Sequence, residues 1–429
     1  MKKILIFLFF PISFIFCEEI KYLNLEESIK IAIENNLNVK VGEEKVIQSE
    51  IEKKDAFTLF LPKIFSSFSL TRLDEPNLIE IPSAGISFEA TKQYLYNGAI
   101  TFSQPLFTGG KLFYTYKQSE ESLKKTNYEY QKLIQDICFN VKETYFSILK
   151  IEKSLEVAKE LKKQAQEHLK DANLLFKNGL VTKLDILKTE VFLAEVEQKI
   201  IEVENALSVA TTNFNFLLNQ PISTRIQLED ILEEGKTEFS FDEWKELAFK
   251  NRPELKIYET LLKISDFNIN LAKSDYFPQI SLLANYQNEK GTQSSLEEWR
   301  ESWNAVIALE LNIWNWGSTK NKIEKNKLQK SQLEKEYQLL KNSIELDVKN
   351  NFLNVKSAEE KIKTAKKQIE EAEENLRLTN LLYKEGMTTT TEVLDAQTSL
   401  SQAKNNYFQA LYEYKIAYSQ LEKASGVLK

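Results

Sequence analysis

Residues 174–190, LLFKNGLVTKLDILKTE, return 207 residues later as LLYKEGMTTTTEVLDAQ at 381–397. In each copy a glycine, Gly179 or Gly386, interrupts a helical pattern. Ahead of each glycine lies a proline-free stretch, about 112–177 and 319–384, that reads as one helix. At 1.5 Å per residue each would reach roughly 100 Å. Helices of that length need a seam to bury against partners. The seam is legible: Val355, Ala358, Ile362, Ala365, Ile369, Ala372, Leu376, Thr379 and Tyr383 advance in alternating steps of three and four. Moved back by 207, the series gives Ile148, Ile151, Leu155, Ala158, Lys162, Ala165, Leu169, Ala172 and Phe176, with one break at Lys162. Such steps mark a coiled coil, and the frequent alanines imply close helix approach. Beyond each glycine a return helix runs to about 218 and 424.

The rest of the chain is also written twice. LNLEESIKIAIENNLNVK (23–40) reads as a short amphipathic helix capped by Asn24, broken at an asparagine and restarted. FDEWKELAFKNRPELK (241–256) has the same shape. LFLPKIFSSFSL (59–70) matches SDYFPQISLLANY (274–286), with Pro62 and Pro278 each ending a helix before a β-like run. Two further β-like runs, at 85–107 and 301–316, show weak period-two alternation. Both end in a glycine turn, FTGGKL and WNWGSTK, whose Gly110 and Gly317 are again 207 apart. The expected organisation is an internal duplication. Residues 1–17 are a signal peptide and 18–221 the first repeat, with strands near 63–73 and 85–106 and a hairpin tip near 179. A polar, loop-like connector covers 222–240. The second repeat, 241–429, has strands near 279–289 and 301–313 and a tip near 386.

MKKILIFLFFPISFIFCEE opens with two lysines and a short apolar run containing Pro11, as an export signal does. Cleavage after Cys17 fits; a retained anchor and lipidation of Cys17 are the alternatives, the latter opposed by bulky Phe16. A formal net charge of −7 and the lack of a basic tract give no reason to expect nucleic acid as a partner. Cys138, in QDICFNVKETYF, reads as a core residue. His168, in KKQAQEHLKDA, reads as a solvated helix residue rather than a metal ligand. No nucleophile elbow, P-loop or metal-ligand cluster is written, so no catalytic residue, cofactor or metal is expected. Gly109-Gly110 lacks the ending of a phosphate loop.

Four strands cannot close a useful barrel, and an open edge is forbidden in a bilayer. Three copies pooling four strands each would supply twelve, within the outer-membrane range. The lysine- and glutamate-rich helices would then stand in water, projecting from the barrel. A secreted coiled-coil structural or adhesive protein without channel activity explains the helices, but less well the matched strand pairs.

SQPLFTGGK (103–111), KNGLVTKLDIL (177–187) and YKEGMTTTTEVLDAQ (383–397) carry a further reading. Through them, from about Leu23 to Leu421, the chain resembles the TolC-like outer membrane efflux protein family, the outer membrane factors. The resemblance implies a mixed α/β, mostly α, homotrimer: a twelve-stranded β-barrel in outer-membrane lipid, continuous with a long periplasmic α-helical barrel. It implies docking to a periplasmic adaptor (membrane fusion) protein and an inner-membrane pump of RND or ABC type. The duct would serve efflux or type I secretion. Residue by residue, it implies acidic entrance positions at Asp185, Glu392 and Asp395, with Lys188 where the first half lacks the second acid. Tip turn and adaptor docking fall to Gly179, Leu180, Val181, Gly386, Met387 and Thr388. The family's closing arginine would fall at Thr388 and is absent, leaving Tyr383 and Thr389 as closure candidates. Asp185 would support closure through Tyr383, or pair with Lys183 or Lys188. Phe107, Gly109, Gly110, Trp314 and Gly317 mark the barrel–helix junction, their aromatics either at the membrane boundary or in core packing.

Overall fold

The computed structural model describes residues 21–83, 85–230, 239–293 and 298–428. The expected signal peptide lies outside them. The first half runs β1 (Lys21–Leu23), α1 (Leu25–Asn35), α2 (Leu37–Thr58), β2 (Lys63–Arg72), β3 (Leu78–Ile81), β4 (Ile86–Glu89), β5 (Tyr94–Phe107), α3 (Lys111–Lys177) and α4 (Lys183–Leu217). The second runs β6 (Ile226–Leu228), α5 (Phe241–Asn251), α6 (Pro253–Ser274), β7 (Gln279–Lys290), β8 (Arg300–Glu310), α7 (Ser318–Lys384) and α8 (Thr390–Ala424). Each helix has a counterpart of equal length in the other half: 11, 22, 67 and 35 residues. Among the described residues no helix is long and apolar enough to cross a membrane.

Local chemistry sets the helix limits. Asn24 Oδ1 accepts the Glu27 amide at 2.8 Å, as the sequence implied. Ser240 and Glu243 form a capping box at α5. The α1–α2 break falls at Asn36, whose side chain donates to the Leu217 carbonyl at 2.9 Å, and Pro253 restarts the chain in α6.

The chain divides into two compact units. One comprises the residues up to Val41, Lys132–Arg252 and Ser343–Lys429. Its core is the seam: Ile148, Ala158, Ala165 and Ala172 of α3 and Val355, Ala358, Ile362, Ala365, Leu376 and Tyr383 of α7 are all buried. Cys138 is buried with them, which pushes its thiol up. Lys162, the break in the seam, stays half-buried and meets Glu197 of α4 at 3.0 Å. The connector is not all loop. β6 lies parallel to β1, and the fully buried Tyr145 donates to the Glu229 carbonyl at 2.6 Å. Tyr412 donates to Asp230 Oδ1 at 3.0 Å, and Lys153 pairs with the same carboxylate at 3.2 Å. Two buried tyrosines from distant helices thus hold a strap whose own sequence reads as polar linker.

The other unit comprises Gly42–Gln131 and Pro253–Asn342. It holds an antiparallel four-stranded sheet in the order β2-β5-β7-β8. The strand expected over 85–106 is two, because β4 turns back on β3 before β5 begins. The strand expected to 313 ends at Glu310.

Candidate functional site

The two tips are the same turn built from different side chains. In the first, the Gly179 amide bonds the Phe176 carbonyl (2.9 Å) and the Leu180 amide bonds that of Leu175 (2.9 Å). In the second, Gly386 bonds Tyr383 (3.0 Å) and Met387 bonds Leu382 (2.8 Å). This pair of bonds is the Schellman motif, and it needs the positive φ both glycines show, 75° and 71°. The return helix starts three residues later on a capping threonine. Thr182 donates its amide and hydroxyl to Asp185 Oδ2 at 2.9 and 2.7 Å. Thr389 accepts the Glu392 amide at 3.4 Å and donates its own to Glu392 Oε2 at 3.3 Å.

These bonds reassign several residues. Asp185 and Glu392 act locally as the acidic members of capping boxes. The bond from Thr182, aided by the nearby Lys188, holds the Asp185 carboxyl below the usual range. Asp185 does not bond Tyr383. The Tyr383 hydroxyl instead shares a 3.1 Å bond with Thr390 Oγ1, both buried. Thr389, a closure candidate by sequence, is occupied as the cap. Lys188 does not pair with Asp185 through a direct bond; its Nζ donates across the tips to Thr391 Oγ1 at 3.0 Å. Asp395 is exposed one turn beyond Glu392, on the same face. Leu180 and Met387, the residues after the two glycines, are 71% and 75% exposed. Val181 and Thr388 are half-buried.

His168 departs furthest from its sequence reading. It is 5% exposed, with its ring 4.7 Å from that of Tyr383. The polar residues beside it in sequence hid this. A signal existed: His168 lies three after Ala165 and four before Ala172, both fully buried, and so shares their face.

In the other unit, Gly109 and Gly110 (φ 63° and 84°) turn β5 into α3, and Gly317 (φ 80°) opens α7. A Cβ on Gly109 would lie 2.7 Å from the Ser274 carbonyl and from Phe277 Cβ, so close approach also demands glycine there. Phe107 and Trp314 are exposed, and Trp314 meets Trp316 edge-on at 5.9 Å; neither is core packing within this chain.

The sheet register sorts the strands into unlike faces. Leu70, Phe68 and Ile64 of β2 lie opposite Tyr96, Gly98 and Phe102 of β5, and Ile100 opposite Tyr286 of β7. Continuing across, Tyr286, Leu282 and Ile280 oppose Trp303, Ile307 and Leu309 of β8. The other face carries Ser67 and Ser69 with Ala99 and Asn97, Thr101 with Asn285, and Asn285 with Asn304. The first face is mainly apolar, with Ser66 opposite Ile100 and Asn288 opposite Glu301 among its polar members. The second is mainly polar, with Phe65 and the pair of Leu283 and Val306 among its exceptions. The apolar residues of β2 and β8 are left exposed. Among the described residues, β2 and β8 have no outer partner strand.

A chain that carries both such a sheet and two long helical hairpins has known relatives. The sequence profile described as "Outer membrane efflux protein" matches residues 29–220 and 244–427. The chain belongs to the outer membrane efflux protein family. That membership places it in the cell outer membrane, among TolC-like transport proteins. It is 20% identical over 440 residues to the alkaline protease secretion protein AprF of Pseudomonas aeruginosa, covering 100% of this chain and 89% of that one. To the outer membrane protein TolC of Vibrio cholerae it is 22% identical, covering 94% and 91%. Its fold matches the solved structure of CusC, described as undergoing transmembrane channel formation, with a TM-score of 0.82 at 18% identity and coverage of 94% and 92%. The Campylobacter jejuni CmeC outer membrane channel gives 0.81, also at 18%, over 94% and 85%.

Proposed function

We propose that this outer membrane efflux protein is the exit duct of a tripartite efflux or type I secretion system. Three copies would close one twelve-stranded barrel, continue it as a helical barrel in the periplasm, and conduct substrates passively. The observation that carries this is the sheet: a mainly apolar face, a mainly polar face and, among the described residues, two open edges on one chain. Backbone groups on such edges cannot be left bare in hydrocarbon, and lipid-out, polar-in alternation is how outer-membrane barrels meet both solvents. A second observation supports assembly. α4 exposes Leu184, Leu187, Val191, Ala194 and Ile201, and α7 exposes Leu346 and Leu353, in coiled-coil spacing. Neighbouring copies would bury these stripes.

The two equal halves support a duplicated chain, with domain limits as read from the sequence. Six tips per trimer would form the docking surface for a periplasmic adaptor, with Leu180 and Met387 as its exposed apolar contacts. The pump, of RND or ABC type, would supply the energy. Rings of Asp395 and Glu392, one from each copy, would favour cations at the entrance. Lys188 opposite Thr391 leaves the first hairpin without a matching acid. The names of AprF and of the proteases secretion protein PrtF of Dickeya chrysanthemi support a protein-secretion cargo as one option.

Planar-bilayer recording of the purified protein tests the reading. A conduit gives discrete cation-selective steps, and the paired change Glu392→Ala with Asp395→Ala raises conductance and lowers that selectivity. Absence of conductance from a folded trimer would refute the duct, and unchanged selectivity would refute the charge rings.

A further inference from the structure

His168 is the protein's sole histidine. It sits eleven residues before the glycine of the first tip, on α3, while Tyr383 sits three before the glycine of the second, on α7. Their rings touch at 4.7 Å, and both are nearly sealed from solvent. The Tyr383 hydroxyl then bonds Thr390, the first residue of α8. Two contacts in series therefore link the first hairpin to α7 and, through Tyr383, to α8, just behind the turns.

The imidazole is poorly served where it lies. Its Nε2 is buried and has no hydrogen-bond partner among the described residues. When the ring is neutral, that atom leaves at most one weak donor or acceptor unmet. When it is protonated, both nitrogens are donors, and a buried N–H carrying charge is left without an acceptor. The groups acting on the ring electrostatically are Asp171 on its own helix and Asp185 on α4, with Tyr383 facing it from α7. α8 contributes only the neutral Thr390, through Tyr383. Burial outweighs the two carboxylates, so the imidazole is held below its ordinary value. The relief open to a protonated ring is to part from Tyr383, which exposes Nε2 to water beside Asp171 and Asp185.

We infer that His168 is a proton-sensitive latch behind the entrance: neutral, it lets the second hairpin pack on the first, and protonated, it drives Tyr383 and that hairpin away. The effective ligand is the proton of an acidified periplasm. The sign follows from the packing. The parted state binds more protons than the packed one, so packing is favoured above the ordinary histidine value of about 6.5 and lost as pH falls through it. From pH 7.5 to 5.5 the parted-to-packed ratio rises by at most about tenfold per copy. As a gate, this rests on the duct reading; as a conformational switch, it does not.

The test uses the whole purified protein with a histidine-free affinity tag, so that one imidazole gives one NMR signal. Amide hydrogen exchange over 379–394, corrected for intrinsic rates, is compared at pH 7.5 and 5.5 in wild type and in His168→Gln and His168→Phe. In wild type, exchange should rise several-fold toward the tenfold ceiling as the imidazole signal titrates. Both variants, which cannot gain a charge, should lose that rise. Bilayer open probability should follow the same pattern. An equal rise in wild type and variants would assign the effect to carboxylates such as Glu392 and Asp395 and overturn the latch. So would an imidazole that titrates without any change in exchange. A His168-dependent exchange change in a protein that forms no channel would leave the latch standing and sink the duct. A conducting channel whose tip exchange ignores pH would do the reverse.

Discussion

The buried Tyr383–Thr390 bond invites a double-mutant cycle. Tyr383 is 4% exposed and Thr390 1%, and their oxygens lie 3.1 Å apart. Thr390→Val keeps the shape of the side chain and strands the tyrosine hydroxyl; Tyr383→Phe strands the threonine hydroxyl. A buried hydroxyl left unpaired costs about 1–3 kcal/mol, whereas removing both partners leaves nothing unpaired. Each single change should therefore loosen the second tip by one or two kcal/mol, a factor of roughly 5–30 in its local opening equilibrium. The double variant should cost no more than one single, giving a coupling energy of about 1 kcal/mol or above. Hydrogen exchange over 379–394, read against the α8 interior as a reference, measures all four corners. Additive single effects, within about 0.3–0.5 kcal/mol, would refute the claim that these hydroxyls serve each other.

Gly109→Ala combines a strained φ (about 1–2 kcal/mol) with overlap on Ser274 and Phe277 (about 1–3 kcal/mol); the thermal stability of the assembled protein should fall sharply. Gly179→Ala has the same sign of φ but open space around it, so only the φ cost, about 1–2 kcal/mol, should appear in the same melting assay. Lys162→Ile gives up a half-exposed ion pair, worth about 0–1 kcal/mol, and fills the seam with the residue found at Ile369; the helical melting temperature should hold or rise. Asp185 is held low in the fold, so its capping contribution is present above the ordinary aspartate value of about 3.9 and fades as pH drops through it. Amide exchange at 182–186 should quicken across that range, once corrected for intrinsic rates, and Asp185→Asn should abolish the dependence.

The long hairpins were legible because every seventh residue repeats the same demand, so one lysine at 162 could not hide the pattern. The tip turns were legible in part. Each glycine marked the helix stop, but the threonine caps and the capping role of Asp185 and Glu392 were not legible, because the resemblance assigns Thr389 to closure and the two acids to the entrance. The strap of β1 and β6 was not. It is three residues pairing through backbone alone, and the tyrosines that hold it, Tyr145 and Tyr412, sit in helices far away in sequence. The partners of Asp185, Lys188 and Tyr383 were missed for a related reason. Sequence alignment of the halves sets these residues side by side, but which hydroxyl each one meets depends on how the hairpins rotate against one another. The sheet lay between these cases: single strands alternated weakly, and only the register across β2, β5, β7 and β8 collected most of their apolar residues on one face.

Each tip settles its own backbone. The Schellman bonds close the outgoing helix and the capping box opens the return helix within the same few residues. Leu180, Val181, Met387 and Thr388 take no side-chain part in those bonds. The shape of the turn and the identity of what it displays are therefore inherited separately. A lineage can rewrite the displayed letters to suit a new partner without relearning how to make the bend.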